Sequence, residues 1–234
     1  MQVSRRALLG GSVMLTMAGL VPLPAWAEEK CPERRVYTPA EALEKLEKGN
    51  GSFDHGKLEP YDIDKHTLGC QADNKQTPFA TIVCCSDSRA GPEQVFQVGI
   101  GELFIVRNAG ATAANPQAIG SVEYSRAVLH VPLIVVLGHT HCGAAEGATK
   151  VVEHNQQYPG QIGGMIAPLV PAARAARPGP HDGWTDRTTH DNVLRVRQEL
   201  RARPLLHPDF RAGRLKIEAA VYDLGTGQVT FLDS

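Results

Sequence analysis

No segment of this chain interleaves basic with aromatic residues, no unit of it repeats, and no tract is of low complexity. The formal net charge is only −1 over 234 residues, so the basic footprint that grips a phosphate backbone is missing and nucleic acid is excluded as a partner. Long apolar runs are scarce as well. The one near the amino terminus, residues 7–21, is broken by Gly10, Gly11 and Gly19 and is short for a bilayer span. What is present is ordinary: 42% hydrophobic and 21% charged residues, the balance of a soluble globular protein, at a length sufficient for one compact domain with a sizeable core.

The first residues read as a targeting segment. Ser4-Arg5-Arg6-Ala7-Leu8-Leu9 sets paired arginines before the apolar stretch, and Ala25-Trp26-Ala27 offers a small-x-small cleavage site. This resembles a twin-arginine export signal, the alternative being a basic pair in a general secretory signal. The expectation is a signal peptide over 1–27, a single mature domain over 28–234, a periplasmic or otherwise exported location, and no membrane anchor after cleavage. Five cysteines in an exported protein invite a disulfide reading. Cys84, Cys85 and Cys142 stand in strand-end contexts, whereas Cys31 and Cys70 fall in polar, loop-like sequence. Those two are expected to bridge each other; the alternative is two unrelated thiols.

Along the mature chain, Thr38 caps a helix with Pro39 in its first turn, Glu41 as the capping-box acid and an apolar stripe of Ala42, Leu43 and Leu46, ended by Gly49-Asn50-Gly51. Residues 54–78 read as a polar, turn-rich connection. Strands are predicted over 79–85, 103–106 and 133–137, with a short helix around 93–96 and a longer one over 116–130. A strand, a long helix and another strand make a parallel crossover. Helices are expected over 144–153, around 166–176 and over 193–203, and a strand pair around Gly225-Thr226-Gly227 closes the chain. The fold class is α/β: a mainly parallel central sheet flanked by helices, with an amino-terminal helical arm and a carboxy-terminal strand pair.

Two of the predicted strands end in chemistry. Cys84-Cys85-Ser86-Asp87-Ser88-Arg89 follows an apolar, β-branched run and precedes Gly91-Pro92, which stops the strand. The run Leu133-Ile134-Val135-Val136-Leu137 ends in Gly138-His139-Thr140-His141-Cys142-Gly143. If the strands are parallel, Cys85, His139 and Cys142 converge at the carboxyl ends, where ligands bind in open α/β sheets. Two thiolates and an imidazole are donors that zinc prefers, one ion per subunit, with a fourth position for which Asp87 is a candidate.

Together these residues resemble the β-class carbonic anhydrases. The match takes in Gly49-Asn50, Phe53, Gln76, Pro78, Cys85-Ser86-Asp87-Ser88-Arg89, Arg107-Asn108-Ala109-Gly110, Glu123-Tyr124, Gly138-His139, Cys142-Gly143, Asn192-Val193 and Val221-Tyr222-Asp223 with Gly227. The resemblance implies reversible hydration of carbon dioxide to bicarbonate by zinc-bound hydroxide, with zinc on Cys85, His139 and Cys142. It implies that Arg89 pairs with Asp87 so that the carboxylate accepts a hydrogen bond at the metal, and that Asp87 itself ligates zinc in a closed state. It implies a substrate contact for Gln76 and a homodimer or homotetramer, with the first helix reaching toward a partner subunit.

The sequence departs from the family pattern at two places. Ile82 stands where members with a bicarbonate-inhibited form tend to carry tryptophan, so the non-allosteric kind is expected, and Ala90 replaces the usual valine. Cys84 reads as a small buried thiol rather than a ligand. His55, His66, His130, His154, His181, His190 and His207 read as surface or packing residues, and Arg107-Asn108 as a support for the loop after the second strand. The alternative functions are hydrolysis of carbonyl sulfide or carbon disulfide, and a non-catalytic zinc-binding protein on the same fold.

Overall fold

The computed structural model describes Cys31 and residues 35–57, 65–73 and 75–233, so the expected signal peptide lies outside the described residues. No helix among the described residues is long and apolar enough to cross a membrane.

Five strands form one sheet in the order β2-β1-β3-β4-β5, from Ala80–Cys84 (β1), Leu103–Arg107 (β2), Leu133–His139 (β3), Lys216–Tyr222 (β4) and Val229–Leu232 (β5). The first four run parallel, and β5 returns antiparallel to β4. The chain leaves β1 for β2 on one side and crosses back to β3 on the other. That reversal makes a crevice at the carboxyl ends of β1 and β3, a topological switch point. β1 and β3 are buried along their whole length, which is why both read as unbroken apolar runs rather than alternating ones.

Side chains alternate across the sheet and build one core on each face. Ile82, Leu133, Val135 and Leu137 pack with Leu46 and Phe96, while Val83, Ile134 and Val136 pack with Val122, Val193 and Val196. Each such side chain contributes about 1.5–3 kcal/mol on burial, so the strand ends that carry the site are anchored from both faces.

The first helix, Pro39–Asp54 (α1), has the expected capping box: Thr38 Oγ1 accepts from Glu41 N at 3.2 Å, and the Glu41 carboxylate accepts from Thr38 N at 2.9 Å. It does not stop at Gly49-Asn50-Gly51. A Cβ at Gly49 would meet the Phe96 carbonyl oxygen at 1.8 Å, so glycine is what lets the helix backbone lie against that chain. Asn50 donates to the carbonyls of Val95 (3.2 Å) and Gly227 (2.9 Å) and accepts from Val229 N (2.7 Å). Tertiary bonds therefore outweigh the poor helix propensity of Gly-Asn-Gly.

Residues 54–78 are not irregular throughout, because Lys65–Asp73 (α2) is helical. Its sparse apolar residues left no period to read. Cys31 and Cys70 are disulfide-bonded, as expected, with Cα atoms 5.4 Å apart, and Gln71 donates to the Ile100 carbonyl at 2.6 Å. Short Pro92–Val95 (α3) links β1 to β2, Pro116–Ala127 (α4) makes the crossover to β3, and Gly143–His154 (α5) follows β3.

The single helix expected around 166–176 is three pieces, Ile162–Ile166 (α6), a 3₁₀ turn at Ala167–Leu169, and Val170–Ala175 (α7). Pro168 and Pro171 lack the amide hydrogens a continuous helix needs. The next helix begins earlier than expected, at Trp184 (α8, Trp184–Arg201). Trp184 is buried and donates from its indole to the Ala173 carbonyl at 2.9 Å, an anchor that the polar local sequence conceals. A short helix not foreseen, His207–Arg211 (α9), precedes β4.

Candidate metal centre

Cys85 follows β1 directly, and His139 is the last residue of β3. Two residues later the backbone turns left-handed at His141, φ 55°, and Cys142 becomes the cap of α5. That turn doubles the chain back so that two ligand-type side chains three residues apart face the same point. Asp186, in the first turn of α8, steadies it by accepting the His141 amide at 2.8 Å. The sulfurs of Cys85 and Cys142 and a ring nitrogen of His139 all lie within 4.8 Å of one another, and all three residues are buried.

The histidine is set up as a ligand. Nδ1 stands 2.9 Å from the Thr140 carbonyl oxygen, which can only accept, so Nδ1 carries the proton and Nε2 keeps its lone pair. Nε2 is buried without a hydrogen-bond partner. Leaving such an atom unsatisfied costs about 1–3 kcal/mol unless a cation takes the lone pair. The sulfurs complete the fit. The two sulfurs, close enough to share one proton between them, are drawn apart in acidity, Cys85 well below the usual thiol range and Cys142 far above it, and a dication would displace that shared proton. Gly110 N donates to Cys85 Sγ at 3.2 Å from a backbone with φ 75°, and a Cβ there would meet Leu169 Cδ2 at 2.6 Å. This donor set suits a soft, tetrahedral dication such as zinc.

Beside the cluster, Asp87 and Arg89 form a two-pronged pair, with Nε to Oδ1 at 2.9 Å and Nη2 to Oδ2 at 2.8 Å. The guanidinium holds the Asp87 carboxyl well below the usual carboxylate range, against a smaller opposing effect of burial. Asp87 Oδ2 stands 3.8 Å from His139 Nε2, so the carboxylate flanks the cluster while engaged by Arg89. A cleft of about 380 Å³ opens onto Cys85 and Asp87, walled by Ala109, Tyr158, Met165 and Ile166. Gln76 is exposed and lies outside that wall, before the amino end of β1. The strand alone separates it from Cys85 by about 13 Å.

The contacts of three supporting residues are not written in the local sequence. Arg107, at the end of β2, donates to the carbonyls of Cys85 (3.0 Å), Asp87 (2.6 Å) and Ala90 (3.2 Å), and so fastens the loop carrying Cys85, Asp87 and Arg89 rather than its own loop. Its register opposite Cys84 would have revealed this, but register is not written locally. Asn192 on α8 donates to the Gly110 carbonyl at 2.9 Å, fixing the peptide unit whose neighbour donates to Cys85, and Asp186 braces the other ligand loop. Cys84 is buried, as expected, and burial pushes its thiol up to about 12, which keeps it inert.

Residues 80–229 match the family described as carbonic anhydrase. Carbonic anhydrase 2 of Mycobacterium tuberculosis is 31% identical over 199 residues, 83% of this chain and 93% of that protein. Among solved structures, the β-carbonic anhydrase CcaA superposes with a TM-score of 0.65 at 27% identity, covering 82% of this chain and 95% of that one. A structure from a study of two tetrameric β-carbonic anhydrases of Sordaria macrospora shares the fold, with a TM-score of 0.66 at 22% identity over 82% and 95% of the two chains.

Proposed function

The chain belongs to the β-class carbonic anhydrase family, and from that premise we propose that it hydrates carbon dioxide reversibly at a zinc ion held by Cys85, His139 and Cys142. The observation that carries the zinc reading is the partnerless, buried Nε2 of His139 facing two thiols within 4.8 Å. Zinc held by three protein donors keeps one position open and acidifies a water there, which supplies the nucleophile near neutral pH.

The chain's own residues do the rest. Thr140 fixes the imidazole tautomer, and the Gly110 amide spreads charge away from the Cys85 sulfur. Asp87, ionised and clamped by Arg89, offers an acceptor that orients the attacking water. The apolar wall of Ala109, Met165 and Ile166 admits a small uncharged substrate without competing for it by hydrogen bonds. Release of Asp87 from Arg89 would free the carboxylate to act as a fourth ligand and close the centre; the structure has the paired arrangement.

Stopped-flow hydration with a pH indicator tests this on the zinc-loaded protein. The wild type should outpace buffer, and Cys142→Ser should fall to the buffer rate. A loaded, folded wild type no faster than buffer would overturn the reading.

The same reading includes assembly and export. Ile100, Tyr124 and Val128 are exposed around β2, which among the described residues is an edge strand of the sheet that a second copy would cover. Gln76, remote from its own cleft, could then reach a cleft only across such an interface. Light scattering after gel filtration should give a dimer or tetramer. Cell fractionation with amino-terminal sequencing should find the exported form beginning at Glu28.

A further inference from the structure

The described residues contain a second group of two cysteines and one histidine, far from the first in sequence and built on other elements. Cys31 precedes α1, while His66 and Cys70 are four residues apart on α2 and so share one helix face. The ligand atoms of all three lie within 4.8 Å of one another, and His66 Nε2 is 3.6 Å from Cys70 Sγ. In a tetrahedral zinc site with Zn–S of about 2.3 Å and Zn–N of about 2.0–2.1 Å, the sulfur-to-nitrogen edge is about 3.6 Å. The imidazole already stands at ligand spacing from one sulfur of the bridge. Cys31 is exposed and His66 half-buried, so a cation reaches the group without opening a core.

We propose that Cys31, His66 and Cys70 form a second soft-metal site, for zinc or a like dication, that exists when the Cys31–Cys70 bond is reduced and is abolished when that bond forms. Reduction by a phosphine breaks the S–S bond: two electrons pass to the sulfurs, and a water gives its oxygen to the phosphine oxide and its two protons to the thiols. The cation then displaces both thiol protons to solvent and binds two thiolates and neutral His66, with water completing the tetrahedron. The sulfurs need only part to about 3.8 Å, the sulfur-to-sulfur edge of such a site. With the Cα atoms 5.4 Å apart, side-chain rotation is enough.

The test counts zinc equivalents on the full chain by competition with a chromogenic chelator, before and after phosphine treatment, and repeats the count with cobalt(II) to read sulfur-to-metal charge-transfer absorption. The intact bridge should give one equivalent and the reduced protein two. Cys31→Ser combined with Cys70→Ser should give one under both conditions. His66→Ala, which leaves the bridge able to form, should weaken the second equivalent at least tenfold and leave the first unchanged. No equivalent gained on full reduction, or a reduction-dependent equivalent surviving in the double serine variant, overturns the proposal. If the oxidised wild type binds none, it is the Cys85 centre that fails, and Cys85→Ser with Cys142→Ser should still show the reduction-dependent equivalent.

Discussion

Two sets of side chains in this molecule offer the same atoms, two sulfurs and an imidazole nitrogen, and meet different fates. Cys85 and Cys142 stay unbonded at the switch point of a buried sheet, whereas Cys31 and Cys70 are joined. The scaffold decides. Cys85 is the continuation of a fully buried strand, and Cys142 caps a helix behind a braced left-handed turn, so neither sulfur can approach the other without moving the core. Cys31 itself lies in neither helix nor strand and is exposed, so no packed core holds its sulfur away from Cys70. Donor identity sets which chemistry is available, and rigidity selects between metal and redox use of it.

That contrast breaks if substitutions in the two sets have similar consequences. The largest expected effect is Cys142→Ser, which should abolish hydration and the tight zinc equivalent, while Cys31→Ser with Cys70→Ser leaves both intact in the oxidised protein. The same double variant should instead lose about 3–4 kcal/mol of stability, since the bridge closes a span of 39 residues, read as a lower urea midpoint at unchanged hydration rate. Next in size, Asp87→Asn should cost about a hundredfold in hydration, because the acceptor that orients the attacking water is lost while zinc content stays full. Asn192→Ala, which touches no ligand, should lower zinc affinity by about tenfold through the Gly110 peptide, and Asn192→Asp should not restore it, having no amide donor.

The buried set was legible because each of its parts sits on a short local pattern: an apolar run, then Cys-x-Asp-x-Arg, and another, then His-x-x-Cys. Parallel strands bring such ends together by topology alone, so convergence followed without any knowledge of register. The roles of Arg107, Asn192 and Asp186 are hidden for the opposite reason. Each supports the centre across 20 or more residues through a backbone atom, and nothing in the local sequence marks which carbonyl or amide it will meet. The end of α1 and the beginning of α8 are hidden for a related cause, since Asn50 and Trp184 are held by carbonyls of distant elements. The pairing of Cys31 with Cys70 follows from the strand-end contexts of the other cysteines, whereas the contact of His66 with Cys70 rests on a four-residue spacing along a helix that the polar local sequence conceals.

The smallest effect sharpens the comparison from the side of stability. Asp87 has its folded pKa depressed by Arg89, so the pair's contribution is present above the unfolded carboxyl value, about 3.9, and is lost as pH falls through the lower folded value. Arg89 is more than half exposed, so solvent screening keeps that contribution small. Arg89→Ala should therefore shift the urea midpoint only slightly at pH 7, and the gap to wild type should narrow as the pH drops below about 4. Hydration should fall far more than stability, because the loss is of orientation at the centre rather than of folding energy. An Arg89→Ala protein as destabilised as the one lacking the Cys31–Cys70 bridge would mean that the buried centre is a structural staple like its peripheral counterpart, and the division of labour between the two sets would fail.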